Sequence, residues 1–124
     1  MGIRFGYRLT PEELPYVGCN YSTFYRVRYS LALLVGIDLG SMEGFGLGGE
    51  TCVSWDVFAS EPLVPLLNHS DCDGELSPSD CAKVAPRLRE LIPQLDDEYH
   101  VEICTGLADM MDDCIRHHVP LEFR

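Results

Sequence analysis

Ser77-Pro78-Ser79-Asp80-Cys81-Ala82-Lys83-Val84-Ala85-Pro86-Arg87-Leu88-Arg89-Glu90-Leu91-Ile92 is the stretch from which the fold class is read. A serine just before a proline, with an acid three residues after the serine, is how a helix begins. The hydroxyl accepts a first-turn amide, the proline lacks an amide that would go unbonded anyway, and the acid sits at the positive end of the helix dipole. Val84, Leu88, Leu91, Ile92 and Leu95 then recur every three or four residues and give the helix one apolar stripe, with Pro86 as a kink.

The same period continues downstream. Over residues 97–118, Ile103, Leu107, Met111, Cys114 and Ile115 form a stripe, while Asp109, Asp112 and Asp113 are placed toward water. Upstream, residues 22–35 put Phe24, Val27, Leu31, Leu34 and Val35 on one face and Arg26, Arg28 and Ser30 on the other, with Gly36 as the stop. Residues 3–9 alternate apolar with basic or glycine residues, the period of a half-buried strand, and residues 51–58 do so through Val53, Trp55 and Val57. The terminal Pro120-Leu121-Glu122-Phe123-Arg124 is placed beside the first strand. Thr10-Pro11-Glu12-Glu13 has the form of a helix start, but Pro15 would end it within a turn. Pro62 and Pro65 leave room only for a short helical turn through Leu63, Leu66 and Leu67. The expectation is an α+β fold: one helix-dominated domain over residues 1–124, with about three main helices and two or three short strands.

A chain of 124 residues falls near the commonest size for a single domain. With 46% hydrophobic and 23% charged residues it has the apolar surface to form a core and does not have a disordered composition. A net charge of −11 repels phosphates and anionic lipid, so nucleic acid and membrane are not expected as partners. Arg4, Arg8, Arg26, Arg28 and Arg124 lie near the termini and first helix, whereas acids crowd between Asp71 and Asp113, which suits a protein partner with a basic surface. No apolar run is long enough to span a bilayer, and no signal-peptide pattern opens the chain, so a cytoplasmic location is expected. In that compartment Cys19, Cys52, Cys72, Cys81, Cys104 and Cys114 are read as reduced and mostly buried, and the absence of a Cys-x-x-Cys pair argues against a zinc ribbon or a thioredoxin-like site.

The most specific chemical signal is His69-Ser70-Asp71-Cys72-Asp73-Gly74-Glu75-Leu76-Ser77-Pro78-Ser79-Asp80. An EF-hand loop needs oxygen ligands at its first, third, fifth, ninth and twelfth positions and a glycine at the sixth for the sharp turn. Asp71, Asp73, Gly74, Ser77 and Asp80 fall at the third, fifth, sixth, ninth and twelfth. His69 replaces the first acid and Asp80 the usual longer one, so calcium would be held less well, and the imidazole also admits zinc or manganese. The candidate metal ligands are therefore His69, Asp71, Asp73, Ser77 and Asp80, with calcium, magnesium or zinc as the ion. The same residues also describe a tight turn followed by a helix cap.

This run, together with Leu66-Leu67-Asn68, Cys81, Val84-Ala85-Pro86-Arg87-Leu88-Arg89-Glu90-Leu91 and Pro120-Leu121-Glu122-Phe123, resembles a group of small uncharacterised proteins of actinobacteria and their phages. The resemblance covers most of the second half and implies no activity.

Other motifs point less far. Gly44-Phe45-Gly46-Leu47-Gly48-Gly49 has dinucleotide-loop spacing, but a helix precedes it where a strand is required. Val35-Gly36-Ile37-Asp38-Leu39-Gly40-Ser41 resembles a phosphate loop of the actin and sugar-kinase superfamily, a fold too large for this chain. Asp109, Asp113 and His117 share a helix face that reads as solvated, although with His118 they have metal-ligand spacing. No catalytic residue is assigned. The expected function is a non-enzymatic acidic interaction or regulatory protein. The alternatives are an acidic inhibitor that mimics nucleic-acid charge and a metal-dependent hydrolase using His69, Asp71 and Asp73 with Asp80.

Overall fold

The computed structural model describes residues 2–8, 16–45, 52–69 and 74–124. In chain order the elements are β1 (Gly2–Gly6), β2 (Tyr16–Asn20), α1 (Tyr21–Leu34), α2 (Val64–Leu67), β3 (Gly74–Leu76), α3 (Pro78–Leu91), α4 (Glu98–His117) and β4 (Leu121–Phe123). The fold is a helix-dominated α+β domain, as the periodicity predicts.

The strands form one four-stranded antiparallel sheet of order β2-β1-β4-β3. The C-terminal strand does pair with the first, Phe5 opposite Phe123 and Gly6 opposite Glu122, and it lies between β1 and β3. Period-two alternation sends Ile3, Phe5, Leu121 and Phe123 to the buried face, and Arg4 and Glu122 away from it. Glu122 there meets Arg8 at 3.3 Å and Arg124 at 2.8 Å. β2 was not anticipated. It is held by the full length of β1, and Gly2 is required at that pairing because a Cβ there would lie 2.5 Å from the Cys19 carbonyl oxygen.

α1, α3 and α4 cover the buried sheet face. α3 starts as read, with the Ser77 hydroxyl accepting the Asp80 amide at 3.1 Å and Pro78 in the first turn. Its Val84, Leu88 and Leu91 meet Ile103, Leu107, Met111 and Cys114 of α4 in a single buried cluster. α4 ends where His118 takes a left-handed conformation, φ 57°, and the Val119 amide bonds back to the Cys114 carbonyl, which turns the chain into β4. Cys104 is buried in this cluster, and burial pushes its thiol up to about 12, so it acts as a small apolar group at neutral pH. Cys81 and Cys114 hydrogen-bond each other between α3 and α4, which lowers the Cys81 thiol and raises that of Cys114. Among the described residues the cysteines are free thiols.

Two expectations are corrected. Residues 52–58 do not form a strand: Val53 makes an isolated bridge to Met42, and Trp55–Phe58 is a 3-10 turn whose start Ser54 caps through the Asp56 amide. The alternation had no second strand to pair with, and Val57 remains 68% exposed. The helix start read at residues 10–13 and most of the glycine-rich run lie outside the described residues.

Candidate functional site

The loop read as cation-binding rises from a collar built by α1, α2 and β4. Phe24, Val27, Arg28 and Leu31 stand at i, i+3, i+4 and i+7, so Arg28 shares the buried face of α1. It is 2% exposed, which corrects its expected placement toward water. Its guanidinium lies 4.2 Å from the Phe24 ring centroid and 5.0 Å from that of Phe45. Nη1 donates to the carbonyl oxygens of His69 at 2.6 Å and Leu67 at 3.4 Å. The last carbonyls of a helix have no partner within it, so Arg28 serves the end of α2 and the start of the loop together.

His69 is fixed on both sides of its ring. It stacks on Phe123 with centroids 3.8 Å apart and planes at 25°, and Nε2 lies 3.1 Å from the Glu75 carbonyl oxygen. A carbonyl only accepts, so Nε2 carries the proton in this bond, and the lone pair of the neutral ring is on Nδ1. The bond ties residue 69 to residue 75.

Gly74, which opens β3, has φ 108°, a backbone conformation that residues with a side chain rarely adopt. A Cβ at this site would also meet His69 Cε1 at 3.2 Å. Gly74→Ala is therefore expected to destabilise the fold by about 1–3 kcal/mol, through backbone strain and displacement of the imidazole. Urea unfolding reads this directly, and an unchanged midpoint would show that neither constraint matters.

Of the remaining predicted ligands, Ser77 caps α3 through its hydroxyl and Asp80 stands half-buried in the first turn of that helix. Asp71 and Asp73 lie outside the described residues, as does Cys72. Cys81, the residue that follows the loop, is buried against Cys114. Among the described residues no group of three His, Cys, Asp or Glu side chains is placed to hold a metal ion.

No family model, curated protein or solved structure matches this chain. Function therefore rests on the chemistry of its own surface.

That surface is unevenly neutralised. Arg87 bridges Glu61 and Glu90, each at 3.0 Å, and Arg89 holds Asp109 at 2.8 Å and Asp112 at 2.6 Å, joining α3 to α4. Asp113 accepts from Arg116 and from the Tyr7 hydroxyl. The face of α4 read as solvated is thus an ion-paired network. At the other end of α4, Asp96, Glu98 and Glu102 are exposed and form no ion pair among the described residues. Asp97 caps the helix by accepting the amides of Tyr99 at 2.8 Å and His100 at 3.3 Å, and these bonds hold its carboxyl below the usual range. His100, not singled out by the sequence, is 9% exposed and borders a cleft beside these acids. No described helix is long and apolar enough to cross a membrane.

Proposed function

We propose that this chain is a non-enzymatic cytoplasmic interaction protein that binds a basic surface of a partner protein, with the loop of residues 69–80 as a structural element. The observation that carries the reading is the separation of paired from unpaired charge. The arginines of α3 and the end of α4 are matched within the fold, whereas Asp96, Glu98 and Glu102 around the start of α4 are exposed and form no ion pair among the described residues. Such a surface attracts cationic groups and repels phosphate. Buried free thiols at Cys81, Cys104 and Cys114 suit a reducing compartment.

The test is fluorescence anisotropy with a labelled lysine-rich peptide and a labelled DNA duplex. The peptide is expected to bind with an affinity that weakens several-fold as screening increases, and the duplex not to bind. Tighter binding of the duplex would overturn the reading.

The loop gives a second check. Among the described residues no three ligating side chains converge, and the fixed positive charge of Arg28 beside His69 opposes a second positive charge there. Adding calcium, magnesium or zinc to metal-free protein is expected to leave the melting temperature within about 1 °C, since only a ligand of the native state raises it. A rise of several degrees with any of the three would restore a cation held by Asp71, Asp73, Ser77 and Asp80. Nucleic-acid mimicry is less supported than binding of a basic protein, because Asp109, Asp112 and Asp113 are already met by arginines.

A further inference from the structure

Between the last turns of α1 and the connector into α4 lies an open cleft of about 410 Å³, within the lower part of the range of ligand pockets, roughly 300–1,000 Å³. Its apolar wall is Leu33 and Leu34, which are 55% and 36% exposed. With Tyr99 in the first turn of α4 they are three of the four large apolar side chains exposed among the described residues. Its rim carries Asp96 and Asp97, both exposed. The third feature is His100, whose mostly buried side chain lines the cleft with Nε2 3.7 Å from Asp97 Oδ2. A ring nitrogen that reaches the cleft can hydrogen-bond a group brought in from outside.

Apolar wall, carboxylate rim and imidazole together select an occupant. An anion is repelled by Asp96 and Asp97. A second copy of the chain brings another net charge of −11, which opposes self-association. Positive fields reach Asp97 from His100 and from Arg26 of α1, whereas Asp96 and Glu98 form no ion pair among the described residues. A purely apolar ligand would leave that rim without a use.

We propose that this cleft docks a partner-protein segment in which a bulky apolar residue adjoins lysine or arginine. The apolar side chain seats on Leu33 and Leu34, the cation on Asp96 and Asp97, and a hydrogen-bonding group of the segment meets His100. This rests on the interaction reading above and adds to it the place and the apolar requirement.

The probes are a labelled amphipathic lysine-leucine peptide and a lysine-serine peptide of equal charge, followed by anisotropy with the full chain. The lysine-leucine peptide is expected to bind at least about tenfold tighter. Leu33→Ser, and separately Asp96→Asn combined with Asp97→Asn, are each expected to weaken it about tenfold, equivalent to about 1.4 kcal/mol. Asparagine keeps the cap of α4, and unchanged melting curves of the variants establish that the fold is held. Val57→Ser, an exposed apolar residue elsewhere, is expected to change nothing. Equal binding of both peptides, unaffected by the cleft variants, overturns the cleft and leaves the acidic-surface reading standing. Binding of neither peptide removes both. A concentration-dependent dimer abolished by Leu33→Ser would assign the cleft to a second copy and overturn the proposed occupant.

Discussion

Phe123→Ala is expected to destabilise the protein by about 3–5 kcal/mol, a large share of the stability of a domain this size. Phe123 is 1% exposed and stands where the sheet, α1 and the acidic loop meet. Its ring contacts Phe5 edge-on at 5.1 Å, lies 6.2 Å from Phe24, and supports the His69 ring at 3.8 Å. In the sheet it pairs with Phe5 on one side and Gly74 on the other. Truncation leaves a cavity bounded by a pleated sheet and a helix, neither of which can close it without breaking register. It also removes the platform that orients His69 toward the Glu75 carbonyl. A urea midpoint lower by about 2 M is the expected reading, taking about 1–3 kcal/mol per molar as the slope for a small protein. A loss below about 1 kcal/mol would show that the C-terminal strand is not part of the core.

Arg28→Ala is expected to cost about 3 kcal/mol or more. The substitution removes charged donors from the His69 and Leu67 carbonyls and the planar group packed on Phe24 and Phe45. Arg28→Lys should recover less than half of the loss, because an ammonium is a point donor that cannot lie flat between rings while reaching both carbonyls. Arg28→Met separates packing from polarity. It refills the volume but leaves the carbonyls without their donor, so an intermediate loss of about 1–3 kcal/mol is expected. The three variants are compared by chemical denaturation. Equal stability of Arg28→Met and the native chain would mean that those hydrogen bonds contribute nothing net. Full recovery by lysine would mean that charge alone matters.

These two residues mark where the sequence was legible and where it was not. Phe123 was placed correctly beside the first strand from a short apolar alternation at the chain end. Arg28 was placed toward water because of its charge, although its position four residues after Phe24 and three before Leu31 put it on the buried stripe. The spacing was the better guide. A guanidinium buried between rings and carbonyls satisfies both its apolar faces and its donors, which a residue-type rule does not anticipate. At the loop, Gly74 and the Ser77 cap were readable because turn and cap chemistry are local. The engagement of His69 was not, since it depends on Phe123 from the far end of the chain and on the Glu75 carbonyl. The cleft was equally hidden: Leu33, Leu34 and His100 gain meaning only when the end of α1 lies beside the start of α4.

The sequence by itself determined the three long helices, their boundaries and most of their stripes, the cap of α3 and the strand at each terminus, because each depends on groups within a few residues of one another. Tertiary structure alone decided the strands Tyr16–Asn20 and Gly74–Leu76, the collapse of residues 52–58 into a bridge and a 3-10 turn, and the burial of Arg28. A short strand is stabilised by the neighbour it pairs with, and a buried charge by carbonyls and rings distant in sequence. Neither partner is visible from the residue's own surroundings in the chain.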